Sequence, residues 1–254
     1  MPYLKYINDE GLNIARGLVR NTSHVNKFGY NGAVGTSYET VWCGSTLMPY
    51  VSIANNMVVT SSSSDDDVAG TGAQTITVEG LDENYNPVSA VFNMNGTGNS
   101  TNTSVSFLRT YRAFVTRVGS GDSNQGVILG SLSGSNIIHI LTGENQTLQA
   151  NFTTAANTTA FITDIHLSSG KENKTGLFRL VVRDNRTPTN KPFLNKQIVE
   201  LYRAPTTIEY PVPLKIPEKH DIEIQCKNLD AGTLSTSATF NLTIVAGEPD
   251  ELDQ

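Results

Sequence analysis

Two short runs of strict alternation, separated by a turn, constrain what this chain can fold into more than any other feature. In the first, Ile76, Val78 and Gly80 share one face while Thr75, Thr77 and Glu79 share the other. In the second, Val88, Ala90, Phe92 and Met94 alternate with Ser89, Val91 and Asn93. An apolar residue at every second position suits a strand buried on one face, because successive side chains point to opposite sides of a sheet. With Asp82-Glu83-Asn84 as the turn, the two runs predict a β-hairpin fed by the Ser/Asp/Gly loop that begins near Val59.

Similar signals recur along the chain. Strands are expected over Val105–Val118, Gly126–Leu129, Asn136–Leu141, Thr147–Phe152, Thr159–Leu167, Leu177–Arg183, Gln197–Tyr202, Asp221–Lys227 and Ser237–Val245. Only 17% of the 254 residues are charged, and Asn, Thr, Ser and Gly are plentiful, a balance that favours short strands joined by hydrogen-bonding turns. The fold class is therefore all-β: a jelly roll or tandem β-sandwich with a short N-terminal arm. The cluster Pro205, Pro211, Pro213 and Pro217 removes ladder donors and predicts an extended edge or crossover. The chain divides into an arm over residues 1–26, a first β half or domain over 27–142, a second over 143–246, and an acidic tail over 247–254. Length leaves one domain or two open.

The arm carries a ragged apolar pattern, with a short helix expected from about Asp9 to Val19. Its apolar residues Leu4, Ile7, Leu12, Leu18 and Val19 are candidates for contact with another subunit, or with the chain's own domain. A net charge of −6, with 18 basic against 24 acidic residues and no Lys/Arg-rich run, argues against direct nucleic-acid binding. Arg109, Arg112 and Arg117 beside Phe107 and Tyr111 are read as outward strand positions ahead of a clamp for single strands. Apolar runs are too short to span a bilayer, and residues 1–20 lack the apolar core of a secretory signal, so no membrane partner and folding in a cytosol are expected. Cys43 and Cys226 share no metal or redox spacing and read as two separate thiols. Sequons such as Asn95-Gly-Thr and Asn241-Leu-Thr read as turn and strand surfaces.

Catalytic and ligand patterns are sparse. Asp65-Asp66-Asp67, with Glu39 or Asp82 folded nearby, is a candidate Ca2+ loop of oxygen ligands, although its spacing departs from the EF-hand and a solvated acidic loop is favoured. Gly70-Thr71-Gly72 is followed by a strand signal rather than a helix and reads as a turn, not a phosphate cradle. His24, His139, His166 and His220 show no metal spacing, and His220-Asp221 alone makes no dyad. The acids Glu79, Asp82 and Glu83 crowd one turn instead of facing each other across a cleft, against a glycan-cleaving activity. No catalytic residue and no cofactor are implied.

Several motifs in order resemble one family. Lys27-Phe28-Gly29-Tyr30-Asn31, Tyr38-Glu39-Thr40-Val41-Trp42, the run SSSSDDDVAGTGA over Ser61–Ala73, Gly80-Leu81-Asp82 with Asn84-Tyr85, Asn95-Gly96, Phe107-Leu108-Arg109 with Arg112-Ala113, and Ile216-Pro217-Glu218-Lys219-His220-Asp221-Ile222 are similar to virion proteins of tailed bacteriophages of marine and cyanobacterial hosts. The resemblance spans roughly Lys27 to Val245, and Gln74 stands where the family pattern carries Arg. It implies a non-enzymatic β-sandwich component of the particle, at the head surface, the collar or neck, or the tail, assembled in the bacterial host cytoplasm. Implied partners are copies of itself in a trimer or ring, and capsid, portal-neck or tail proteins. The alternative is a tail adhesin that binds host surface glycan through Trp42, Tyr50, Tyr85 and Tyr111.

Overall fold

The computed structural model describes residues 9–170, 173–187, 191–202 and 204–247. The chain is all-β, and its strand order is that of a jelly roll carrying a second β unit as an insertion. One jelly-roll sheet runs β1 (Thr22–Val34), β16 (Leu234–Ala246), β11 (Thr158–Ser169), β14 (Thr206–Ile216). The facing sheet runs β10 (Asn151–Thr153), β15 (His220–Asn228), β12 (Thr175–Asp184), β13 (Leu194–Tyr202), with the two-residue β2 (Glu39–Thr40) added to β15. All these pairings are antiparallel, and from β10 onward consecutive strands of the roll alternate between the two sheets except at β12 and β13, which form a hairpin within one sheet, the order of two interleaved Greek keys. Their inner faces close over Phe178, Phe240, Ile162, Ile222, Ile224 and their neighbours.

Between the first and second strands of the roll, the chain builds the inserted unit. Its sheets are β6 (Ser100–Phe107), β3 (Asn55–Ser61), β8 (Ile128–Leu132), β9 (Ser135–Ile140), and β5 (Pro87–Asn93), β4 (Ala73–Leu81), β7 (Arg109–Val118). A separate core of Trp42, Met57, Ile76, Phe92, Phe107 and Ile138 fills it. The expected hairpin is the β4–β5 pair, in register from Thr75↔Asn93 to Leu81↔Pro87, with Ile76, Val78, Ala90, Phe92 and Met94 inward. Asp82 fixes its turn by accepting the amides of Asn84 and Asn86, each at 2.8 Å.

The structure redraws several expected boundaries. Lys27 lies inside β1, which pairs with β16 over Thr22↔Val245 to Asn31↔Thr236, and Val34 and Val41 belong to the jelly-roll core. The two β units are therefore nested rather than tandem, because the partner of β1 is the last strand of the chain. Of the arm, residues 1–8 lie outside the described residues. The helix is α1 (Glu10–Ala15), capped by the Asp9 carboxylate and ended well before Val19 at Gly17, whose φ of 69° suits a residue without a side chain. The expected strand Val105–Val118 is broken at Leu108, where the chain leaves the sheet of β6 for that of β7. Gly80 permits that bend, since a Cβ there would lie 2.1 Å from the Arg109 carbonyl. Thr147–Phe152 shrinks to β10 and a single bridge between Trp42 and Gln149. The proline segment is an edge strand as expected: among the described residues β14 pairs only with β11, and Pro211 and Pro213 fall where its ladder is interrupted.

Candidate functional site

The densest polar chemistry lies where the inserted unit covers the outer face of the jelly roll. Along β15 the alternation sends Ile222, Ile224 and Cys226 into the core and Asp221, Glu223 and Gln225 to the opposite face. Those polar residues are nevertheless buried. Register places Thr153 on one side of Asp221 and Arg183 on the other, and the inserted unit adds Arg109 from above.

Asp221, 0% exposed, is saturated with donors. Arg109 Nε donates to Oδ1 at 2.8 Å and its Nη2 to Oδ2 at 3.3 Å. Arg183 donates to Oδ2 through Nη2 at 2.5 Å and Nε at 3.0 Å. Thr153 Oγ1 donates to Oδ1 at 2.7 Å and Asn185 Nδ2 to Oδ2 at 2.8 Å. Burial pushes the carboxyl upward, but the two guanidiniums and these hydrogen bonds outweigh it and hold Asp221 below the usual carboxylate range. Arg109 also donates to the Val51 and Leu108 carbonyls, at 2.8 and 2.9 Å.

A second buried carboxylate sits two residues on. Glu223 accepts from Thr40 Oγ1, from Tyr50 Oη at 3.0 Å and from Gln225 Nε2 at 2.8 Å. With no cation among these partners, burial pushes its carboxyl up, and burial together with Glu223 and Asp221 raises the Tyr50 phenol well above its ordinary value. Arg109 stacks over the rings of Tyr50 and Tyr85 at 5.1 and 5.8 Å, and Arg183 over Tyr50 and Phe193 at 4.4 and 4.5 Å. The arrangement can clamp two β units in one orientation. His220 turns away from Asp221, its Nδ1 2.7 Å from the Glu218 carbonyl oxygen and its Nε2 3.8 Å from Asp184.

Two clefts flank the clamp. One, of about 290 Å3, is walled by Tyr50, Ser52, Tyr85, Arg109, Arg183 and Lys191. The other, of about 590 Å3, opens between β1 and the inserted unit, with Lys27 and Tyr111 in its wall.

The remaining sequence candidates fall elsewhere. Asp66 is fully buried, and its carboxylate accepts from Ser61 Oγ and the amides of Ala73, Gln125 and Gly126 at 2.6–2.9 Å. Those donors occupy the oxygens a cation would need, while Asp67 accepts from Ala69 and Asp65 is exposed. Glu39 binds Asn31 and Gly35 on the jelly roll, and Asp82 closes its own turn, so neither joins the aspartates. Among the described residues no group of three or more His, Cys, Asp or Glu is placed to hold a metal ion. Leu12, within α1, is 42% exposed, Leu18 and Val19 are half-buried, and Leu4 and Ile7 lie outside the described residues. Trp42 is core, 2% exposed with Nε1 donating to the Thr46 carbonyl, so the four aromatics assigned to glycan do not form one surface. The arginine stripe divides too: Arg109 is buried on Asp221, while Arg112 is exposed beside Glu79 at 3.6 Å. Cys43 and Cys226 are separate free thiols, both pushed up by burial, Cys43 to about 11.

Lys27, Arg183 and Glu223 carry much of this chemistry without having been singled out from the sequence. The one available signal was the D-I-E-I-Q spacing of Asp221–Gln225, whose polar face reads as solvent-facing unless something covers it.

No protein-family model matches the chain, and no curated protein matches it. Among solved structures the chain is similar to infectious bursal disease virus of the Gx strain, at 10% identity and a TM-score of 0.29, covering 90% of this chain and 73% of that one. The VP2 subviral particle of the same virus follows, at 10% identity and a TM-score of 0.23 with the same coverage. Superpositions this loose decide neither fold nor function; the jelly-roll assignment rests on strand order and register.

Proposed function

We propose that this chain is a non-enzymatic building block of a virus particle, that of a tailed bacteriophage, which works by associating with copies of itself and with neighbouring particle proteins. The observation that carries the reading is the open side of the jelly roll. There the consecutive strands β13 and β14 are the outer strands of the two sheets, each paired on one edge only among the described residues. Leu194, Ile198, Tyr202 and Val212 on them are exposed, Val212 to 83%. The outer edge of β13 with its apolar side chains invites pairing with another chain, whereas Pro211 and Pro213 blunt the edge of β14 and leave Val212 to act by apolar contact. The clamp at Asp221 supports the same role, since a fixed orientation of the two units gives every copy the same contact geometry. The ordered motifs that resemble those of tailed-phage virion proteins support that kind of particle.

The purified protein is expected to form a defined homo-oligomer by light scattering, and Ile198→Glu with Val212→Glu is expected to yield a folded monomer. Wild-type protein that stays monomeric and binds neither capsids nor tails overturns the proposal. Cryo-EM of intact virions would then distinguish head, collar and tail positions.

A further inference from the structure

The cleft of about 590 Å3 between β1 and the inserted unit contains a lysine in an unusual setting. Lys27 is 8% exposed, yet its Nζ donates to a neutral group, the Tyr111 carbonyl, and lies 6.0 Å from the Tyr111 ring centroid. Among the described residues no carboxylate lies within ion-pair distance of it: Glu79, the acid on the facing strand, is engaged with Arg112. The titratable groups around the cleft are His24 on β1, Glu79 on β4, and Tyr111 and Arg112 on β7. Burial, reinforced by Arg112 and opposed by Glu79, pushes the Lys27 amine down to about 7. Phe28, Leu81, Phe152 and Ile244 give the cleft apolar walls, and Thr147 and Thr158 contribute hydroxyls.

We propose that this cleft binds small aldehydes or ketones and that the Lys27 amine holds them covalently as an imine. The nitrogen lone pair attacks the carbonyl carbon and forms the C–N bond. Both amine protons pass to the carbonyl oxygen, which leaves as water, so the exchange needs no oxidant or reductant. The apolar walls disfavour return of water to the imine carbon, and the hydroxyls suit a polar substituent on the bound molecule. This site is independent of the assembly role.

The test uses pyridoxal as the probe on the full chain near neutral pH, with cyanoborohydride reducing the imine to a stable amine and peptide mass mapping locating it. Lys27 is expected to label at least ~10-fold faster than the exposed Lys196 and Lys215, since the cleft holds the probe beside the Lys27 amine. The rate at Lys27 is expected to saturate with pyridoxal concentration. Labelling of Lys196 or Lys215 as fast as Lys27 overturns the proposal, and a linear concentration dependence overturns the binding step. Ile244→Trp, which fills the cleft and spares the amine, is expected to slow labelling at Lys27 and leave Lys196 unchanged. Should that variant not fold, the saturation measurement on the wild type still decides.

Discussion

Asp66 and Asp221 are both 0% exposed, and the chain compensates the two buried carboxylates in different ways. Asp66 sits in a loop of the inserted unit and is satisfied by a serine hydroxyl and three backbone amides, the farthest only about sixty residues away in sequence. Asp221 is satisfied chiefly by two guanidiniums, one of them delivered by the other unit across 112 residues of sequence. Neutral amides fix a local loop shape. Charged partners make the orientation of one unit on the other depend on a single buried cluster, because a guanidinium left alone out of water is far costlier than an orphaned amide.

The largest effect that follows is at Asp221. Asp221→Ala leaves Arg109 and Arg183 facing each other without a counter-charge and is expected to cost about 3–5 kcal/mol in urea unfolding. Asp66→Ala orphans neutral donors only, and about 2–3 kcal/mol is expected. If Asp66→Ala proves as damaging as Asp221→Ala, the distinction between the two compensations fails. A smaller effect lies in acid. Asp221 is held below its unfolded value of 3.8, so its contribution is complete above that value and is lost as pH falls through the lower folded value. Melting temperatures of the wild type and Asp221→Asn are therefore expected to converge as the pH falls below about 4. A gap that stays constant over that range would mean that the carboxylate charge contributes nothing.

How much of this was legible depended on where each partner sits in the chain. The β4–β5 hairpin was readable because its alternation and its Asp82 turn are both contained within one short stretch. The edge character of β14 was readable as well, since a proline cannot donate to a ladder wherever it is placed. By contrast, β1 is thirteen residues long with two Asn, two Gly and an uneven apolar pattern, and it becomes a strand by pairing with β16 at the other end of the chain. The break at Leu108 was invisible because Val105–Val118 keeps its strand-like composition while changing sheets. At the clamp, the strand expected over Asp221–Lys227 is present, but nothing local indicated that a second unit covers the face carrying Asp221, Glu223 and Gln225.

By itself, then, the sequence determined the all-β class, the hairpin, the turn chemistry and which side of each regular strand faces a core, since these follow from the two-residue period and from side chains acting on their own backbone. Only the tertiary structure decided that one β unit is nested inside the other, that Asp221 and Glu223 are buried, and that Lys27 lines a cleft with no counter-ion among the described residues. Those outcomes depend on contacts between segments far apart in sequence. Burial of a polar group is a property of what lies on top of it, which its own neighbours along the chain do not encode.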